Sequence, residues 1–200
     1  QVATQAILGR HYDKVVVVST TIKAALNAIT DATSSNRYLV YVPNGTYTED
    51  SLHVNHYVDL VGQSKTGVII QSTSGTNDII DAGGKNSLIA NMTLTHTRNI
   101  GDPGVQKYPV HIDAPTLGGT FTTAKNSTTI LYNLILNALG TQSKSAVGIG
   151  VRGSQRVYIV DCDIYSQTNP GIFTHNVATQ TLTSQVYIVN TTSEGTYGLD

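Results

Sequence analysis

Three short segments, PVHIDA, AVGIGV and GIFTHN, can be laid over one another so that Asp113, Gly150 and His175 fall at one position. If each segment is a strand and the three stack, alternation turns that position outward. A carboxyl group beside an imidazole can then work as a general acid/base pair. Asp113 would move the proton, His175 would tune it, and Gly150 would leave room for a bulky reactant. Asp161 and Asp163 flank Cys162 in VYIVDCDIY and share one face. Asp161 holds a repeated position and reads as structural, which leaves Asp163 freer to act. Carboxylates one strand step apart, about 4.8 Å, come near the roughly 5 to 5.5 Å separation of retaining glycoside hydrolysis, and two steps reach the upper edge of the inverting range. The candidate catalytic residues are therefore Asp113, Asp163 and His175. Tyr108, Arg152 and Asn169 are the candidate substrate contacts, with Arg152 and Arg156 suited to an acidic or phosphate-bearing glycan. The competing reading makes all of these ordinary solvated surface groups.

Four further histidines, His11, His53, His56 and His96, show no metal-ligand spacing and read as structural or surface groups. No cluster of carboxylates suits calcium, so no metal and no cofactor is expected. Cys162, the only cysteine, lies in an apolar run and reads as a small buried hydrophobe. The sequons at Asn44, Asn91, Asn126 and Asn190 read as threonine-rich strand composition rather than as glycosylation sites.

Charged residues make up only 12% of the chain and the formal net charge is -1. That balance argues against nucleic acid or an anionic membrane surface as partner, since both need a basic field. No apolar run approaches the length of a membrane span, so no membrane insertion is expected. A surface of Thr, Ser, Asn and Gln suits a protein that works outside cells or contacts sugars.

The elements that must hold these groups are short. After Thr30 the apolar runs (YLVYV, YVDLVG, GVII, SLIANMTL, TTILYNLIL, RVYIVDCDI, QVYIV) are β-branched and separated by Gly, Asn, Ser and Pro. Stacking LIANMTL, ILYNLIL, YIVDCDI and YIVNTTS aligns Asn91, Asn133, Asp161 and Asn190. The steps are 133−91 = 42, 161−133 = 28 and 190−161 = 29 residues. Two nearly equal steps and one longer one predict coils of a right-handed parallel β-helix, an all-β fold, with RNIGDPGVQK or PTLGGTFTTAKN as the insertion. An amide at a fixed point of each coil can bond up the stack and tolerates a left-handed turn. One amphipathic helix near Thr21–Thr30, with Ile22, Ala25, Leu26 and Ile29 on one face, would cap the first coil. Residues 1–200 form one such domain.

The opening half resembles pectin methylesterases and the wider pectin-lyase-like β-helix superfamily. The carriers are VVVVSTTIKAALNAI, RYLVYVPNGTYTED and YVDLVGQSKTGVII, good over residues 15 to 71 and looser afterwards. These motifs are scaffold, and the esterase chemistry does not follow them. Where the family has its oxyanion-hole glutamine this chain has Ser145, where it has the acid/base aspartate there is Thr168 or Asn169, and the nucleophilic aspartate falls near Tyr197. The resemblance therefore implies the esterase scaffold without the esterase site.

Other superfamily members are polysaccharide lyases, glycosidases and viral tail spikes or appendages. The resemblance implies a protein that binds and degrades a cell-surface polysaccharide or teichoic acid, as a tail-spike depolymerase does, outside the cell or on a virion surface. The alternatives are a non-catalytic carbohydrate-binding or structural β-helix of a virion or adhesin, and an extracellular pectin-active enzyme. SQVYIVNTTSEGTYGLD opens a further coil without a cap, so the expectation is a piece of a longer chain that forms a homotrimer, as spikes of this kind generally do.

Overall fold

A computed structural model describes residues 10–82, 86–99, 108–112, 127–141, 143, 145–150, 156–175 and 185–195. Each coil passes over three faces in order. The first face, sheet 1, holds β1 (Lys14–Val17), β2 (Tyr38–Val42), β5 (Val58–Gly62), the start of β8 (Ser87–Thr97), the start of β10 (Thr128–Leu139), β12 (Arg156–Val160) and β15 (Gln185–Val189). The second, sheet 2, holds β3 (Gly45–Thr48), β6 (Val68–Ser72), the ends of β8 and β10, β13 (Asp163–Ser166) and β16 (Thr192–Glu194). The third, sheet 3, holds β4 (Leu52–His53), β7 (Ile80–Asp81), β9 (Val110–Ile112), β11 (Val147–Gly150) and β14 (Ile172–His175). Pairing is parallel throughout these ladders, each strand to its counterpart one coil on.

Register explains the core. Val40, Leu60, Ile89, Leu131 and Ile159 stack on sheet 1, Ile70, Leu94, Leu136 and Ile164 on sheet 2, and Leu52, Ile80, Val110, Val147 and Ile172 on sheet 3. All are buried in one cluster. Identical aliphatic shapes one strand spacing apart pack without voids, which is how a thin solenoid builds a continuous interior.

The expected cap is present, but α1 runs only over Ile22–Asn27. Ile22, Leu26 and Ile29 are buried at its foot. Thr21 Oγ1 accepts from the Ala24 amide at 3.1 Å, and the Glu49 carboxylate accepts from the Ile22 and Lys23 amides at 2.8 and 2.9 Å. An anion at the positive helix end satisfies donors that the helix itself cannot.

The amide ladder sits where sheet 1 turns into sheet 2. Asn91, Asn133, Asp161 and Asn190 have φ of 57°, 52°, 54° and 47°. This is the left-handed region, which asparagine and aspartate visit most readily after glycine. Asn133 Nδ2 donates to Asn91 Oδ1 at 2.9 Å and Asn190 Nδ2 donates to Asp161 Oδ1 at 2.6 Å. For the same sense of donation, residue 161 would have to donate to Asn133, and an ionised carboxylate has no proton to give. Asp161→Asn is therefore expected to complete the run, adding about 1 kcal/mol and raising Tm by about 3 °C. A lowered melting temperature in calorimetry would overturn this reading of the ladder.

Candidate functional site on the outer face of sheet 3

Strand alternation fixes the site. On sheet 3 the aliphatic positions point inward, so the residues after them point out, in one row across five coils. In register they are His53, Asp81, His111, Gly148 and Phe173. An imidazole, a carboxylate and a second imidazole thus stand on successive coils, each about 4.8 Å from the next along the ladder.

Asp78, in the turn before β7, completes the group. Its Oδ1 accepts the Tyr108 amide at 2.7 Å, and its Oδ2 lies 3.0 Å from His111 Nδ1. Both partners of this pair are mostly shielded, with 14% and 13% of their side chains exposed. A carboxylate on Nδ1 fixes which imidazole nitrogen carries the proton and stabilises the imidazolium. The Tyr108 ring lies beside the imidazole, with centroids 5.0 Å apart. The same ring covers Gly148, where an added Cβ would come within 2.6 Å of it. His53 Nδ1 is buried without a hydrogen-bond partner among the described residues, at the head of the row. Among the described residues no group of His, Cys, Asp or Glu could hold a metal ion. What this arrangement offers is proton transfer by a carboxylate-oriented histidine with a second carboxylate, Asp81, one coil away.

The sequence-predicted residues distribute differently. Asp113, Arg152 and Tyr197 lie outside the described residues. The backbone of His175 pairs with Gly150 on sheet 3, as the segment alignment expects. Asp163 stands on sheet 2 instead. There Lys65 Nζ donates to it at 2.7 Å and Thr192 Oγ1 at 2.9 Å. The Lys65 bond, then the Thr192 bond, hold its carboxyl below the usual range, the opposite of what a proton donor needs. Arg156 is on sheet 1, with its Nε 3.4 Å from Gln185 Oε1. Tyr108 corrects an expectation: it is 1% exposed, so it packs over the site and offers no surface to a substrate. Asn169 is half-buried, and its Nδ2 donates to the Ser143 carbonyl at 2.6 Å and to Thr168 Oγ1 at 3.2 Å.

Sequence reasoning missed Asp78, Asp81 and His111 and set His53 aside. The available signal was the pairing of an inward aliphatic with an outward polar residue in LH, ID and VH. His96 does hold a structural place: it is buried, with Nε2 3.1 Å from the Asn77 carbonyl, and burial lowers its pKa.

The model of a family described as rhamnogalacturonase A/epimerase, pectate lyase-like, matches residues 13–199. The chain belongs to that family. Among solved structures, this rhamnogalacturonase A/epimerase-like chain is similar to the pectin methylesterase PemA from Erwinia chrysanthemi, with 16% identity over 84% of this chain and a TM-score of 0.50. A pectin methylesterase variant in complex with a hexasaccharide aligns over 90% of the chain at 13% identity and a TM-score of 0.44. The chain spans 53% of the first structure's length and 66% of the second's. No curated protein matches the sequence. Fold and family together make this a right-handed parallel β-helix of the pectin-lyase-like kind, within a carbohydrate-active family. Where the esterase resemblance expects the oxyanion-hole glutamine stands Ser145, which is buried. Thr168 and Asn169, where the acid/base aspartate is expected, are tied to Ser143 and fasten a turn. Methanol release from methylated pectin is accordingly expected to be absent. A release that falls on changing Asn169 or Tyr197 would reverse that conclusion.

Proposed function

We propose that this chain binds and cleaves a cell-surface polysaccharide or teichoic acid along the outer face of sheet 3, as the depolymerase of a viral tail spike or appendage does. The observation that carries the reading is the Asp78–His111 pair, 3.0 Å apart, in register with Asp81. Protonated His111 can give its proton to the oxygen of the departing sugar, and a neighbouring carboxylate can draw a proton from the attacking water. One glycosidic bond breaks, and one bond from carbon to water oxygen forms. Asp113 and His175 stay candidates for the same task, since the strand preceding Asp113 and the backbone of His175 belong to this sheet.

Incubation with bacterial wall glycans and teichoic acids, followed by sizing of the chains, tests the reading. Shortened chains ending in an ordinary reducing sugar indicate hydrolysis, and an unsaturated end indicates elimination. Retention of glycan without shortening supports the second reading, a binding or structural β-helix. The close approach of the Tyr108 ring to His111 and the pairing of Asp163 with Lys65 favour that alternative. The proposal extends to action outside the cell or on a virion surface, as a homotrimer. Low charge supports side-by-side association, because little desolvation of charge opposes it. A monomer mass in light scattering at micromolar concentration would refute the trimer.

A further inference from the structure

A second cluster lies on another face. Asp59 takes an outward position on sheet 1 yet is fully buried. Arg10 Nη1 donates to its two oxygens at 2.5 and 2.7 Å, and the Leu88 amide donates at 2.7 Å. The Tyr12 phenol bonds to the same carboxylate, and burial, before the Asp59 charge, pushes its pKa up. With those oxygens so occupied, Arg37 Nη2 approaches them only to 3.4 and 3.5 Å and turns to the Asn86 carbonyl at 3.3 Å. Asp13, the other acid nearby, accepts the Arg37 amide at 2.8 Å and pairs with neither guanidinium.

Donors therefore outnumber acceptors. Among the described residues, Arg10 Nε and Arg37 Nε are buried without partners, and no hydrogen bond engages Arg10 Nη2 or Arg37 Nη1. Guanidinium nitrogens shielded from water and left without an acceptor are costly unless something supplies one. Beside them opens a cavity of about 430 Å³, whose walls include Arg10, Arg37, His11, Ser35 and Asn86 and also the carboxylate of Asp13. The one carboxylate in the lining, Asp13, already takes the Arg37 amide, so the hydroxyl, amide and imidazole groups around two guanidiniums leave the pocket rich in donors, and the fork geometry of arginine matches paired oxygens.

We propose that this cavity is an oxyanion site, taking the phosphate or carboxylate group of an acidic glycan. Asp59 is its positioning residue, holding both guanidiniums from beneath so that their remaining donors meet the ligand. The site stands apart from sheet 3 and does not depend on cleavage there.

The test is thermal unfolding in sodium phosphate, sodium glucuronate and sodium chloride at equal ionic strength. Binding is expected to raise Tm by about 3 °C at ten times the dissociation constant, relative to chloride. Ser35 is exposed, so Ser35→Glu places a carboxylate at the mouth, and the rise over that variant's own Tm in chloride is expected to be abolished. That variant also separates site binding from the general stabilisation that phosphate gives any protein. A response to phosphate alone assigns the site to a phosphodiester polymer, and a response to glucuronate alone assigns it to a uronate polymer. A response to both assigns it to oxyanions at large. Equal Tm in all three salts, or an undiminished rise in Ser35→Glu, overturns the proposal.

Discussion

Gly62→Ala is expected to cost about 3 kcal/mol or more, the range reached when a well-packed position is overfilled. A Cβ at residue 62 would come within 2.1 Å of the Asn91 carbonyl oxygen. That oxygen belongs to backbone held in the left-handed turn by its place in the ladder, so it cannot rotate aside as a side chain would. Either the turn of the coil above is displaced or the β5–β8 pairing opens. Urea unfolding of the variant should show a lower midpoint with reduced secondary structure near the transition. A midpoint within error of the parent's would mean that the two coils can separate freely, and the account of this close approach would fail.

The second large effect concerns the sheet 3 row. On a glycan that the parent shortens, His111→Asn is expected to reduce cleavage about 10²- to 10⁴-fold, the usual share of a positioned acid/base. Asp78→Asn should reduce it by less, because the imidazole is kept while the charge supporting its imidazolium goes. It should also displace the pH profile, since a neutral amide favours protonated histidine less than a carboxylate does. His111 would then give up its proton at lower pH, and the limb of the profile that needs protonated histidine would move downward. Undiminished cleavage in both variants would remove the row from the chemistry and return attention to Asp113 and His175.

The scaffold was legible because its signals repeat. The 28- and 29-residue steps through Asp161 and Asn190 set the register of the last two coils, and the structure pairs their strands as those steps require. Helix α1 was legible from one buried stripe, although its end was not, because Ile29 stays buried beyond Asn27 and the apolar spacing runs on past the last helical residue. The site was much harder to read. Asp78 and His111 are 33 residues apart, and the strands that align them, β4, β7 and β9, are two or three residues long. So few residues cannot display alternation, which becomes visible only when coils are superposed. Asp163 looked free for the same reason. Its partner Lys65 is 98 residues away, and nothing local announces it.

That lysine alters how the molecule should come apart. A solenoid whose coils touch only their neighbours frays from its ends one rung at a time. Lys65 springs from the coil of β5 and β6, its carbonyl takes the Thr93 hydroxyl of the next coil at 2.8 Å, and its ammonium reaches Asp163 two coils further on. It also lies 3.3 Å from the Asp161 carbonyl. The pair is too exposed to contribute much energy. Its effect is on cooperativity: loss of the coil of β12 and β13 also releases a tie anchored three coils earlier, which couples opening at the two ends of the span by no more than the pair's own energy. In native-state hydrogen exchange, Lys65→Met should lower the opening free energy of β13 amides by no more than about 1 kcal/mol while leaving those of β2 unchanged.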